Sequence, residues 1–286
     1  LKTEHSNPRR FSFKLGKDCK RHTPETMLSK RVSSFEELTK CFDIEVVTKE
    51  FYNNLFTWYT WACENVTFPT GDTTKDSKGK YNVHQTKENN KLNLIRLITR
   101  LMFVWFIKQK ELIPSWIFDE AELSKVLSEF NPESKKDGNY YNAILQNLFF
   151  ATLNKKIEDR TFADDKKILY NEQFGVKNFY RDDAKHSFFL ESNEEIIERF
   201  KSVPFLNGGL FECLDRLVDD KDNKKNIEVF ADGFSREREW MAFIPNMLFW
   251  QKDNGKHEGL IHLLNRYNFT VEENSPTDVQ VALDPE

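Results

Sequence analysis

Residues 92–110 constrain the fold of this chain more than any other stretch. Leu94, Ile95, Ile98, Leu101, Met102 and Trp105 fall on one side of a helix. Leu97, Val104 and Phe106 cover most of what remains. A helix that is apolar nearly all round belongs in an interior, so this one is expected to be the central helix of its domain. The longest unbroken apolar run, Leu101 to Ile107, is far below the ~20 residues that cross a membrane. The 286-residue chain, with 26 phenylalanines in all, has ample material to pack around such a helix. A chain of this size buries a core without help from disulfides or metals. Its four cysteines, Cys19, Cys41, Cys63 and Cys213, include no C-x-x-C pair. That usage, with no leader-like apolar segment at the start, points to a soluble protein in a reducing, cytoplasmic setting.

The flanking segments read mostly as helices. Ser33 or Ser34 followed by Glu36 or Glu37 is a capping-box pattern that opens one. Phe51, Leu55, Trp58 and Ala62 share a face of the next, which ends near Pro69 and Gly71. Asp119 can cap a helix that points Leu123, Val126, Leu127 and Phe130 inward before Asn131-Pro132 stops it. Tyr141, Ile144, Leu145, Leu148 and Phe149 are spaced as an amphipathic helix. A short helix carries Ile196, Ile197 and Phe200, and Leu260 to Leu264 lies in a late one. Phe11-Ser12-Phe13-Lys14-Leu15-Gly16 alternates as a strand, and Phe269-Thr270-Val271 reads as a short extended piece. Residues 71–91 contain no Leu, Ile or Phe and read as a loop or linker. Residues 154–187 read as polar and irregular, and 215–240 as mostly charged. The expected class is mainly α: an irregular multi-helix connector domain with minor β near the termini.

Charge divides the chain at residue 31. Residues 1–31 carry nine Lys/Arg against three Asp/Glu, while the rest has a net charge of −10. The expected organisation is a basic arm over 1–31, the end of an upstream domain, followed by a helical body over 32–286. Arg9, Arg10, Lys14, Lys17, Lys20 and Arg21 are the candidates for contact with a DNA backbone. A merely solvated arm is the competing reading. Arg236 and Arg238, with Lys221, Lys224 and Lys225, form a second basic candidate that neighbouring Asp and Glu largely cancel.

Catalytic constellations are not found in the sequence. It has neither a G-x-G-x-x-G nor a Walker loop. His257 and His262 lie i, i+5 apart, too far around a helix at ~3.6 residues per turn to share a metal. Asp182-Asp183 and Asp219-Asp220 read as solvated loop carboxylates. No catalytic, cofactor-binding or metal-ligating residue is therefore assigned. The chain opens at Leu1 without Met and stops at Asp284-Pro285-Glu286, so it is expected to be part of a longer polypeptide.

Seven runs carry a resemblance. They are Arg9-Arg10-Phe11-Ser12-Phe13, the stretch Phe42-Asp43-Ile44-Glu45-Val46-Val47-Thr48-Lys49-Glu50-Phe51-Tyr52, and Ile95-Arg96-Leu97-Ile98-Thr99-Arg100-Leu101 with Phe103-Val104-Trp105-Phe106. Then come Ile144-Leu145-Gln146-Asn147-Leu148-Phe149-Phe150-Ala151-Thr152 and Val203-Pro204-Phe205-Leu206-Asn207-Gly208-Gly209-Leu210-Phe211-Glu212. Arg266-Tyr267-Asn268-Phe269-Thr270-Val271-Glu272-Glu273-Asn274 and Val281-Ala282-Leu283-Asp284-Pro285-Glu286 complete the set. In this order and spacing they resemble the central region of bacterial type II restriction–modification enzymes of the IIS/IIG kind. Those join a nuclease to an adenine-specific N6 DNA methyltransferase in one chain.

The resemblance implies a parent that binds double-stranded DNA, uses S-adenosylmethionine and magnesium, and carries its Asn-Pro-Pro-Tyr motif beyond Glu286. It implies that this part is the non-catalytic α-helical connector before the methyltransferase, with no cofactor of its own. The resemblance also implies that methylation takes the target adenine out of the duplex, and that cleavage falls at a set reach from the recognition site, so connector geometry would matter. Two other readings stay open: a helical interaction or scaffold protein, and part of a methylation-based phage-defence protein without its own nuclease. Within the runs, Asn207-Gly208-Gly209 is expected to be a turn with positive φ. Arg96 and Arg100 are expected to pair with carboxylates inside the domain rather than reach DNA.

Overall fold

Helices begin where the sequence supplies an oxygen to cap them. The computed structural model describes residues 10–13, 15, 16, 19–29, 32–75, 77, 78, 81–163, 175–206, 208–220, 225–269, 278–280, 282 and 283. After strand β1 (Arg10–Ser12) come helices α1 (His22–Leu28), α2 (Phe35–Lys40) and α3 (Ile44–Cys63). Ser34 Oγ accepts from the Glu37 nitrogen at 3.1 Å, and the Glu37 carboxylate accepts from Ser33 at 2.7 Å. Asp43 caps α3 through the Glu45 nitrogen at 2.9 Å. Val47, Phe51, Leu55, Trp58 and Ala62 form the buried face of α3, so this helix keeps its expected register.

Strands β2 (Thr70–Lys75) and β3 (Tyr81–His84) follow, then α4 (Lys87–Lys108) and α5 (Glu120–Val126). Asp119 caps α5 with bonds of 2.8 and 3.0 Å from Ala121 and Glu122 nitrogens. Two π-helical segments, Tyr140–Leu145 and Asn147–Leu153, run on from one another. Beyond them lie α6 (Asn193–Arg199), β4 (Arg216–Asp220), β5 (Lys225–Phe230), α7 (Met247–Trp250), α8 (Leu260–Arg266) and β6 (Asp278–Gln280). Ser192 and Glu195 make a complete capping box for α6.

Two features differ from the expectation. The first is a four-stranded antiparallel sheet in the order β3-β2-β5-β4, in the middle of the chain and away from its ends. It occupies residues read as linker and as charged loop. Thr70-Gly71-Asp72-Thr73-Thr74-Lys75 and Arg216-Leu217-Val218-Asp219-Asp220 show little alternation, because the described side chains of β2 and β4 stay half-buried or exposed. Main-chain pairing holds these strands, and pairing leaves no periodic trace in sequence. An apolar anchor sits at one end, where Phe230 stacks on Trp240 with centroids 4.7 Å apart. The β contribution near the termini is also present: β1 pairs in parallel with β6.

The second concerns which helix is central. α4 buries Leu94, Leu97, Leu101, Val104 and Trp105, but Leu92, Ile95 and Phe103 are 56%, 52% and 42% exposed. It is half-buried. The expected amphipathic helix around Tyr141 is instead buried on every side from Tyr140 to Leu153. Its polar residues made it look like a surface helix, yet each is satisfied internally. Asn142 Nδ2 donates to Ala242 O at 2.9 Å, and Gln146 Nε2 donates to Asp232 O at 3.0 Å. Asn147 clamps Arg181, donating to its carbonyl and accepting from its nitrogen, both at 2.8 Å. Thr152 Oγ1 and the Tyr180 hydroxyl lie 2.7 Å apart. Buried side-chain amides cost stability only when left unpaired. Here they serve the irregular segments wrapped around the helix, whose own main-chain groups need partners.

Candidate functional site

The basic arm is the first candidate. Arg9, Lys14 and Lys17 lie outside the described residues. Arg10 opens β1 and is exposed, as are Lys20 and Arg21. The described part of the arm packs against the body. Phe13 lies 4.8 Å from Phe42, His22 Nε2 sits 2.8 Å from Glu50 Oε1, and Met27 joins the core. Lys20 is held through its main chain: its nitrogen donates to Asn268 Oδ1 at 3.0 Å, and its carbonyl accepts from Asn268 Nδ2 at 3.2 Å. Residues 248 positions apart are thereby fixed side by side.

The second basic candidate is dispersed. Lys221 and Lys224 lie outside the described residues. Arg238 pairs with Asp183, and Arg236 is half-buried with its carbonyl accepting from the Ala184 nitrogen at 2.9 Å. Asp183 is buried and Asp182 half-buried, and both are engaged by main chain. Asp182 Oδ1 accepts from the Phe188 nitrogen at 2.7 Å, and Asp183 Oδ1 accepts from Lys185 and His186 nitrogens at 2.8 and 3.2 Å. Burial pushes the Asp183 carboxyl up, but these bonds and Arg238 outweigh it and hold it below the usual carboxylate range.

Arg100 sits at the junction of α4 with the β4–β5 unit. It is 4% exposed and donates to Asp232 Oδ1 at 2.9 Å, Leu210 O at 2.9 Å and Glu212 O at 3.1 Å. Its guanidinium carbon lies 4.7 Å from the Phe150 centroid. Internal pairing is thus what the structure gives for Arg100, whereas Arg96 donates to Asn93 Oδ1 at 3.1 Å. Asp215 is wholly buried, and its carboxylate accepts from Ala231, Asp232, Gly233 and Phe234 nitrogens. Burial holds the Asp232 carboxyl above its ordinary value despite Arg100 beside it. These two acids are bound to main chain and guanidinium, so they do not fit a magnesium ion. Among the described residues no group of three His, Cys, Asp or Glu could hold a metal.

A cleft of about 660 Å³ opens between the segments following α5 and the Arg238–Phe243 strip. Glu129, Lys136, Asn142, His186 and Arg238 face it. Sequence reading missed it, and its one local signal is Glu129 at φ 51°, a conformation uncommon for a residue with a Cβ. Its charges are mixed in sign. Ser187 Oγ is engaged with the Phe189 main chain at 3.1 and 3.0 Å, so it is not activated by His186.

The two late histidines do not share a helix. His257 precedes α8 and stacks on Trp61 with centroids 4.5 Å apart, while His262 lies within α8, 3.0 Å from Trp250 O. Asn207 lies outside the described residues, and the expected positive φ is absent at its neighbours. Gly208 has φ −159°, and Gly209 is not among the glycines with positive φ. A side chain at either would meet open space. Nothing in the structure explains these two glycines.

The arrangement defines a mixed, mainly helical protein with a buried polar frame and a docked basic arm. Among the described residues no helix is long and apolar enough to cross a membrane. No family model matches the chain, and neither a curated protein nor a solved structure matches it.

Proposed function

We propose that this chain is a non-catalytic part of a bacterial type II restriction–modification protein, which links its modules and touches the DNA backbone. One observation supports this reading above others: the seven runs that carry the resemblance pack on one another. Phe13 of the first meets Phe42 of the second, and Phe51 of the second lies 5.2 Å from Tyr267 of the sixth. Phe106 of the third lies 5.1 Å from Phe269 of the sixth. Arg100 of the third covers Phe150 of the fourth and binds two carbonyls of the fifth. The Leu283 nitrogen of the seventh donates to Asn268 O of the sixth at 2.9 Å. Residues used this way are joints of one body, which suits a part that fixes distance and orientation.

The parent reaction, adenine-N6 methylation from S-adenosylmethionine with DNA cleavage, belongs to this proposal as an expectation about the longer chain. Sequencing the reading frame tests it. An Asn-Pro-Pro-Tyr motif within the next few hundred residues, and transfer of labelled methyl groups to adenine by the full-length product, are expected. A reading frame without that motif overturns the proposal in favour of a helical scaffold protein. The sequence upstream distinguishes restriction–modification from defence by methylation alone.

A further inference from the structure

The last turn of α4 carries Lys108. Its ammonium lies 4.2 Å from the Trp105 ring centroid and 5.4 Å from that of Phe118. These two rings hold the side chain half-buried at a helix C-terminus, where positive charge is favoured. Lys20 belongs to the arm, 88 positions earlier, and the Asn268 clamp fixes its main chain. The next residue, Phe269, packs edge-on against Phe106 at 5.1 Å and against Trp105 at 6.4 Å. A continuous set of contacts therefore runs from Lys20 through Asn268 and Phe269 to the aromatic seat of Lys108. Burial lowers the Lys108 pKa, and the charge of Lys20 lowers it further.

Neither lysine has a carboxylate partner among the described residues. Elsewhere the exposed lysines Lys40, Lys49, Lys125 and Lys201 each pair with a glutamate within one helical turn. On a body with an excess of acid, two cations tied to one aromatic cluster through Asn268 and Phe269, and without a carboxylate partner among the described residues, mark a place where an outside anion gains most. Ammonium groups on flexible stems meet phosphates as point charges and do not read bases.

We infer that Lys20 and Lys108 together form a seat for a phosphodiester of duplex DNA, with the Asn268 clamp and the Trp105–Phe118 pair setting their positions. This rests on the proposed function and adds to it a second contact point, Lys108, outside the basic arm. The test is fluorescence anisotropy of a labelled duplex of about twenty base pairs, titrated with the 286-residue chain over a series of salt concentrations. Each lost phosphate contact reduces the slope of log affinity against log salt by about 0.9. Lys20→Gln and Lys108→Gln should each reduce the slope and the double variant should lose about 0.9, Lys108→Arg should retain the wild-type slope, and Lys49→Gln should change nothing. Thermal melts of the same variants establish that each is folded. A Lys108→Gln variant that is folded and keeps the wild-type slope overturns the seat. So does absence of binding at low salt, or displacement of the duplex by equimolar inorganic phosphate, which would make this a site for a free anion. Absence of binding would also remove the DNA contact from the proposed function, while the restriction–modification origin stands or falls separately on the reading frame.

Discussion

A Cβ on Gly233 would lie 2.5 Å from the Ala242 nitrogen and 2.9 Å from the Pro69 ring, and the residue holds φ +64°. Steric conflict and backbone conformation both demand glycine there. Gly233→Ala should cost at least ~1–3 kcal/mol, whereas Gly208→Ala should stay within ~0.5 kcal/mol. Chemical denaturation of the two variants checks the contrast, and equal midpoints would refute it. Asp183 gives a pH-dependent case. Its carboxyl is held below the ordinary range, so the stability it contributes is present above the unfolded value, ~3.9. That contribution disappears as pH falls through the folded value. Asp183→Asn should therefore melt well below wild type at pH 7, and the gap should close on acidification. A gap independent of pH would mean that the carboxylate charge is not what holds the 182–188 turn.

Individual elements were legible to unequal degrees. Caps are local: Ser34, Asp43, Asp119 and Ser192 open helices through bonds to residues two or three positions away, and the starts at Ser34 and Asp119 could be read directly. The face of α3 followed from spacing for the same reason. α4 was over-read: its composition is apolar nearly all round, but among the described residues Leu92 and Ile95 stay exposed, and Phe103 is only partly covered, meeting Phe211 edge-on at 5.7 Å. Its buried side holds as expected. Trp105 is 2% exposed and meets Phe118 edge-on at 5.2 Å. Trp105→Ala should leave a large cavity and cost ~3–5 kcal/mol. A thermal melt within a degree or two of wild type would place Trp105 outside the load of the core. The π-helical pair was under-read, because Asn142, Gln146 and Asn147 look like a solvent face until their distant carbonyl partners are known.

Taken as a whole, the molecule is a frame of aromatic and amide contacts between segments far apart in sequence. Such a frame is suited to holding positions, and the carboxylates at its centre are already bonded. Under the proposed function the cofactor loop belongs to another part of the parent chain. The 286-residue chain should therefore give no binding heat when titrated with S-adenosylmethionine. Micromolar affinity would show that the methyltransferase boundary is misplaced. Sequence alone determined the starts of α2 and α5, the inward faces of α3 and α5, and the β character of Phe11 and Ser12 at the front of the longer run read as a strand, because each depends on neighbours within about one turn or on alternation. Tertiary structure alone decided the β3-β2-β5-β4 pairing, the burial of Asp183, Asp215 and Asp232, and the exchange of the central place from α4 to Tyr140–Leu153. These depend on which distant main-chain groups arrive to satisfy a polar side chain or strand edge. No local pattern of residue types records that arrival.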